Sequence, residues 1–273
     1  LTASQLSDSI KCPYVLRSHD IEHLHYGYWL QSAKGLGKLK LMLTLLHLKS
    51  YEFSMFRNCD AFYDISVDDL QFWEKQGFSH GRFLPPLADL SSLDATANVN
   101  PNEPQDCTYD VVFLGNLRTE NNVAGVLWFL QEVLPKLKSK APNIRILIAG
   151  SNPVQSIFDA CEGLDNVELK PNPVSAKATY QSGKVLINPV STGSGTSIKS
   201  VDMLTLNRPI VTLKKGTFGL PEAARKYYQI AEDAQSFSDF ICESLDNAIN
   251  NAPNQEEVQE LFGYPVIERF LKD

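Results

Sequence analysis

Residues 185–199 have the sequence Val-Leu-Ile-Asn-Pro-Val-Ser-Thr-Gly-Ser-Gly-Thr-Ser-Ile-Lys, which predicts a buried strand, a glycine-rich turn and the start of a helix. Glycine lets the backbone approach a ligand closely, and the first amides of a helix lack partners within it. We therefore expect Gly193, Ser194, Gly195, Thr196 and Ser197 to form a phosphate-binding turn, in which Thr196 and Ser197 also offer hydroxyl donors. The alternative is a plain strand–turn–helix connection in which Ser and Thr cap the helix.

Two charged residues follow on the predicted helix. Lys199 lies in its first turn, where a cation is unfavourable unless an anion compensates it. Asp202 follows three positions later on the same face, where it can hydrogen-bond the ribose of a nucleotide or simply pair with Lys199.

Two further glycine turns leave predicted strands at the same edge of the sheet. The first, residues 113–118, contains Gly115, Asn116 and Arg118, which can approach a diphosphate or form an ordinary tight turn with a solvated arginine. The second is the stretch 215–221. Because three loops from three strand ends converge, we predict a nucleotide pocket in this half of the chain.

The second half of the sequence alternates short aliphatic runs with longer helical patterns, which predicts an α/β fold with a parallel sheet. The predicted strands are 111–114, 144–149, 167–169, 185–187 and 210–212, and the predicted helices are 123–137, 197–206 and 236–250. The first half has fewer elements, with strands at 14–16, 61–65 and 83–84 and a long helix at 36–56. Residues 91–106 lose this periodicity and are rich in Asn, Pro and Ala, so we divide the chain into domains 1–104 and 105–273.

Composition excludes several classes of protein. The 273 residues carry 32 Asp and Glu against 25 Lys and Arg, a net charge of −7 that argues against nucleic acid as a partner. The five cysteines, at 12, 59, 107, 161 and 242, have no metal-ligand or redox spacing and are interpreted as reduced, buried thiols in the cytoplasm. The sequence shows no signal peptide, no membrane span and no group of residues with metal-ligand spacing.

The first half contributes two further candidate features. Arg17 and His19 follow a predicted strand, where the imidazole can touch a sugar hydroxyl or serve only as a hydrogen-bonding spacer. The predicted long helix carries lysines at 34, 38, 40 and 49 among many leucines, without an acidic residue between Glu22 and Glu52. This pattern fits peripheral contact with an anionic membrane, or else a core helix with snorkelling lysines.

These segments together resemble the retaining glycosyltransferases of the GT-B fold, family 4 and the related group 1 transferases. The resemblance extends over nearly the whole chain and is carried by the stretches 17–22, 59–66, 83–86, 109–135, 148–153, 188–199 and 207–212. It implies two Rossmann-like domains, with an N-terminal acceptor domain that we expect to be incomplete, and a final helix that can pack back on it. It also implies a role in polysaccharide biosynthesis, in the cytoplasm or on the inner face of the membrane.

The resemblance further implies an enzyme that takes a sugar from a UDP-sugar or GDP-sugar and passes it, with retention, to a glycan or a lipid-linked acceptor. No metal or other cofactor is expected, because the helix dipole and cationic side chains neutralise the leaving diphosphate. Gly195, Thr196 and Lys199 then hold the diphosphate, Asp202 holds the ribose, and His19 and Arg17 face the transferred sugar as catalytic residues with Lys199.

The sequence departs from the family pattern at several positions. Ser194 and Asp202 stand where the family often has two glutamates, and Asn116 and Asn121 replace basic residues that commonly contact the diphosphate. The alternative function is therefore a nucleotide-sugar-binding module without turnover, and a third is a sugar-nucleotide epimerase.

Overall fold

A computed structural model describes residues 12–88, 107–193, 195–246 and 252–272. These residues form two compact units. The first falls within Leu1–Pro86, Gly193–Thr196 and Phe218–Pro221, and the second within Leu87–Thr192, Ser197–Thr217 and Glu222–Asp273. Two loops from the second half of the sequence therefore belong to the first unit, and the final helix belongs to the second.

The first unit contains a three-stranded parallel sheet in the order β1-β2-β3. Its strands are β1 (Val15–Ser18), β2 (Ala61–Asp64) and β3 (Gly81–Phe83), and its helices are α1 (Glu22–Ser32), α2 (Gly35–Asn58) and α3 (Val67–Lys75). All three predicted strands and the long helix are present. The strand predicted at 83–84 ends at Phe83 instead, and α1 and α3 were not predicted.

The core of this unit is aromatic. Trp73 and Phe62 have no exposed surface, and the ring of Phe56 stacks on Trp73 with centroids 3.9 Å apart. Beside this cluster lies a buried polar pair, in which Glu52 of α2 contacts the imidazole of His23 at 2.5 Å. The same carboxylate accepts the backbone N–H groups of Glu22 and His23 at 3.0 and 3.2 Å. Glu52 thus satisfies amides at the start of α1 that a helix cannot satisfy itself.

The second unit is built on six parallel strands in the order β6-β5-β4-β7-β8-β9. The strands are β4 (Tyr109–Asn116), β5 (Ile146–Ser151), β6 (Val167–Pro171), β7 (Gly183–Asn188), β8 (Ile210–Leu213) and β9 (Tyr228–Ala231). The five predicted strands are all found, and the first starts two residues earlier than expected. Strand order reverses between β4 and β7, which is where open α/β sheets bind their ligands.

Helices connect these strands. They are α4 (Glu120–Trp128), α5 (Leu134–Lys140), α6 (Gln155–Cys161), α7 (Ala176–Gln181), α8 (Ile198–Leu204), α9 (Glu222–Arg225), α10 (Ala234–Asp246), α11 (Gln255–Phe262) and α12 (Tyr264–Lys272). The single helix predicted at 123–137 consists of α4 and α5 joined by a π-helical segment, Phe129–Val133. Pro135 has no N–H to donate, so the helix widens in the turn before it. Most of the predicted stripe is nevertheless buried: Val126, Val133 and Leu137 have no exposed surface, while Val123 and Leu127 are half-buried.

Two other expectations need correction. The helix expected from residue 197 begins at Ile198 and ends at Leu204, and the predicted helix end at Asn250 lies outside the described residues. All five cysteines are free, but Cys12 is exposed rather than buried and only Cys59 is fully buried. Burial raises the pKa of the Cys161 thiol to about 11. A thiol with a raised pKa is a poor nucleophile, which agrees with a structural role.

Candidate functional site

Three polar loops leave the carboxyl edge of the second sheet side by side. They follow β4, β7 and β8, which are adjacent and parallel, so their ends lie at one edge as the sequence predicted. The glycine turn 113–118 overlaps the end of β4, and the stretch from residue 189 leads from β7 into α8.

Lys199 links two of these loops. Its ammonium donates a hydrogen bond of 2.6 Å to Oδ1 of Asn122 on α4, and it lies 4.8 Å above the ring of Phe113. Asn122 in turn donates from Nδ2 to the carbonyl of Asn116 at 3.0 Å and to the hydroxyl of Thr119 at 2.9 Å. The amide of Asn122 therefore fixes the turn after β4 and the lysine after β7 in one arrangement.

The position of Lys199 is unfavourable for a charge. Burial lowers the pKa of its ammonium from 10.5 to about 7, because water is withdrawn from the cation. An anion bound beside the amine favours the protonated form and raises that pKa again. Lys199 thus has the properties of a group that is completed by a negatively charged ligand.

Asn116 shapes the turn that follows β4. Its side-chain oxygen accepts the backbone N–H of Arg118 at 3.0 Å, which is the geometry of an Asx turn. Arg118 is exposed and Gly115 precedes the turn at the end of the strand. The sequence predicted a turn at this edge of the sheet, and the structure has one, with Gly115 and Asn116 as the last two residues of β4.

A buried network holds the ends of β7 and β8 together. Asn188 donates from Nδ2 to the hydroxyl of Ser200 at 3.0 Å, and that hydroxyl donates to the carbonyl of Gly216 at 2.7 Å. The hydroxyl of Thr212 donates to the carbonyl of Asn188 at 2.9 Å. Sequence reasoning missed this network, although a polar Asn at the end of an aliphatic strand and a Ser on the inner face of α8 were visible signals.

Asp202 lies exposed on α8, three positions after Lys199. Burial, and then the charge of Asp202, raise the pKa of the Tyr180 hydroxyl. The ammonium of Lys199 contacts Asn122 and Phe113.

The start of α8 differs in detail from the prediction. Ser197 is the N-cap residue, and its side chain makes no capping hydrogen bond. Gly193 and Gly195 have φ angles of 116° and 68°, so the turn uses the conformational freedom of glycine as expected, and Ser194 lies outside the described residues. The hydroxyl of Thr196, predicted as a phosphate donor, donates instead to the carbonyl of Ile65 at 3.2 Å within the first unit. A hydroxyl has one hydrogen, so only the amide of Thr196 keeps the predicted role.

The first unit places Arg17 on β1 and His19 in the loop directly after it, and both side chains are exposed. The next residue, Asp20, accepts the N–H of Ile21 at 2.8 Å, and its carboxylate lies 3.4 Å from His25. These contacts fix the loop that carries His19.

Asp64 was also missed. It ends β2, has no exposed surface and accepts the N–H of Ser66 at 2.9 Å. Burial raises the pKa of this carboxyl to about 6. The sequence feature that could have pointed to Asp64 is an acidic residue at the end of a strand that contains Phe62 and Tyr63.

Two general findings concern the described residues as a whole. Within those ranges, no group of three or more His, Cys, Asp and Glu side chains is arranged to hold a metal ion. None of the described helices combines the length and the apolar character that crossing a bilayer requires.

Comparison with known proteins places this geometry in a family. Residues 108–247, just over half of the chain, match the family described as Glycosyl transferases group 1. A Klebsiella pneumoniae protein, described as an uncharacterized 44.6 kDa protein in the cps region, is 28% identical over a match that covers 48% of this chain and 36% of that protein.

Solved structures show the same fold. A point mutant of S. aureus TarM, in a complex with UDP, fondaparinux and α-GlcNAc-glycerol, matches with a TM-score of 0.62 at 12% identity, covering 83% of this chain and 46% of TarM. HepE of Anabaena, in a complex with UDP and glucose, matches with a TM-score of 0.62 at 12% identity, covering 98% of this chain and 73% of HepE. The chain thus matches less than half the length of the Klebsiella protein and less than half the length of TarM.

Proposed function

The chain belongs to the glycosyl transferases of group 1, and we propose that it moves a sugar, with retention, from a nucleotide-diphosphate sugar to a glycan or lipid-linked acceptor. The observation that carries the proposal is Lys199, a cation withdrawn from water at the switch point of the second sheet. UDP in the TarM and HepE complexes supports a nucleotide diphosphate as the donor group, and the cps-region relative supports polysaccharide as the product class.

We assign the diphosphate to Lys199 together with the turn after β4. Gly115, Asn116 and the side chain of Arg118 lie at the edge to which Asn122 ties the lysine. Ser197 adds a backbone amide at the start of α8, where its side chain forms no cap. We also propose, from the resemblance, that Gly193, Ser194, Gly195 and Thr196 bind the donor diphosphate. Asp202, exposed on α8, is assigned to the ribose hydroxyls.

The roles proposed for Arg17 and His19 in the first unit rest on the family resemblance and on the exposure of these two side chains to solvent. Arg17 and His19 are both open to solvent at the carboxyl end of β1. We propose that His19 contacts the transferred sugar and that Arg17 contributes positive charge there.

The proposed chemistry needs no group beyond the donor and the protein. The bond from the anomeric carbon to the diphosphate oxygen breaks, and the acceptor hydroxyl bonds to that carbon on the same face. Its proton passes to the oxygen of the leaving diphosphate. Lys199 stabilises the charge that develops on this leaving group, an effect that is strong where water is excluded.

Titration calorimetry with UDP, GDP and their sugars tests the binding step. We expect binding of one of the two nucleotides and a loss of about 10- to 100-fold in affinity in Lys199→Ala, the range for a hydrogen bond to a charged group. Lys177→Ala, an exposed lysine on α7, is the matched control and should leave affinity unchanged. Absence of binding to all of them, or binding that ignores Lys199→Ala, refutes the proposed site.

Turnover is tested separately. Release of nucleotide diphosphate with an acceptor extract, followed by assignment of the anomeric configuration of the product, supports retention. Tight binding without any turnover identifies the nucleotide-sugar-binding module instead.

A further inference from the structure

Helix α2 exposes large apolar side chains along one side. Leu36, Leu39, Met42, Leu43 and Leu46 have exposed fractions of 86, 56, 47, 57 and 71%. With about 100° between successive residues, these five positions fall within an arc of about 120°. We call this arc the outer face of α2.

The outer face is separate from the side by which α2 packs into its unit. Glu52 and Phe56 are buried, and Leu41, Leu45 and Leu48 are partly buried. These five positions fall on the opposite side of the helix by the same angular count. The helix already has a core face, so the outer face is a second apolar surface.

Positive charge surrounds the outer face. Lys38 and Lys49 border the arc on one side and Lys40 on the other, and all three are exposed. With Lys34 they give residues 23–51 four positive charges and no acidic residue. The remainder of the chain therefore carries a net charge of −11, so this basic helix stands out against an acidic protein.

We propose that the outer face of α2 binds the surface of a bilayer that contains anionic lipids, with the helix axis lying in the plane of the interface. The leucines and Met42 enter the boundary between headgroups and acyl chains, while the lysines extend along them to the anionic headgroups. A second copy of this chain fits less well, because pairing two such faces brings eight lysines together without acidic partners. The apolar arc spans about 15 Å, which suits lying on a bilayer and is too short to cross it.

Co-sedimentation of the whole chain with vesicles tests this proposal. We expect binding to vesicles of equal parts phosphatidylglycerol and phosphatidylcholine, little binding to phosphatidylcholine alone, and weaker binding at high salt. Equal binding to both kinds of vesicle, or none to either, overturns the proposal.

Matched variants locate the surface. Leu43→Gln should weaken binding by about tenfold, and Lys40→Gln by about fivefold. Their controls, Val174→Gln and Lys177→Gln, change exposed residues of the second unit and should bind as the wild type does. Thermal melting of each variant verifies that it is folded. If light scattering shows a dimer that Leu43→Gln dissociates, the outer face joins two copies and the membrane proposal is wrong.

Discussion

Replacing Lys199 with methionine should make the protein more stable and, at the same time, weaken its binding of nucleotide diphosphate. The pKa of the ammonium falls from 10.5 to about 7 on folding, so below pH 7 the native state holds a charge in an environment that disfavours it. Methionine has a similar length and no charge to desolvate. We therefore expect Lys199 to lower the stability of the fold while it strengthens the binding of the ligand.

The magnitude follows from the pKa. A shift of this size corresponds to about 5 kcal/mol below pH 7, at about 1.4 kcal/mol for each unit. Against this gain, Oδ1 of Asn122 loses its 2.6 Å hydrogen bond, which costs about 1–3 kcal/mol. We expect Lys199→Met to raise the free energy of unfolding by roughly 2–4 kcal/mol at pH 6.

The pH dependence identifies the cause. Between about pH 7 and 10.5 the unfolded chain holds the lysine proton and the native chain does not, so wild-type stability rises with pH. The advantage of the variant should therefore shrink by about 1.4 kcal/mol for each pH unit above 7. Urea unfolding of both proteins at several pH values between 6 and 9 measures it. A difference in stability that is constant over this range refutes the reasoning.

Binding should change in the opposite direction. The association constant of the wild type for its nucleotide should fall by about tenfold for each pH unit above 7, as the amine of the free protein loses its proton. The affinity of Lys199→Met should be low and independent of pH in the same range.

Three further predictions concern stability and are checked by urea unfolding. Gly150→Ala should lower the free energy of unfolding by about 3 kcal/mol or more, because its Cβ would lie 1.8 Å from the carbonyl oxygen of Gly115. Gly27→Ala has open space around its Cβ and should leave stability unchanged or slightly higher. Equal effects of the two substitutions contradict this account. Glu52→Ala should lower the free energy of unfolding by about 3 kcal/mol. Glu52→Gln should lower it clearly less, because the amide oxygen of Gln can still accept an N–H of α1. Similar losses in the two variants would show that the negative charge of Glu52, and not its hydrogen bonds, stabilises the fold. Burial raises the pKa of Asp64 from 3.8 to about 6, so wild-type stability should fall as pH rises through this interval. Asp64→Asn should gain about 2 kcal/mol relative to the wild type between pH 4 and 6.5, and a constant difference excludes that titration.

The fold was predictable where strands are buried on both faces. Runs such as 111–114 and 185–187 are continuously apolar, and the structure confirms each as part of a central parallel strand. Strand β9 was missed because it lies at the sheet edge and contains Gln229 and Tyr228 among its four residues. The break in the helix before Pro135 was visible in the sequence, but its form as a π-helical segment depends on packing around residues 129–133.

The site was predictable to the level of loops and less so to the level of atoms. Sheet topology brings the residues after β4, β7 and β8 to one edge, so local glycine patterns sufficed to find them. The partner of Lys199 is Asn122, 77 positions away in the chain, and no local pattern connects the two. Likewise, the buried carboxylate of Glu52 serves amides 29 and 30 positions earlier, which only the packing of two helices reveals.

The loops that residues 193–196 and 218–221 contribute to the first unit have a consequence for how the protein is made. The N–H of Gly219 donates to the carboxylate of Asp68 at 2.6 Å, across a separation of 151 residues. At a translation rate of about 5–20 residues per second, that bond cannot form until about 8 to 30 s after Asp68 has left the ribosomal active centre. Translation of the first unit therefore starts early, but the unit cannot be completed until Pro221 has been made. A chaperone that holds nascent chains can act on it throughout that interval.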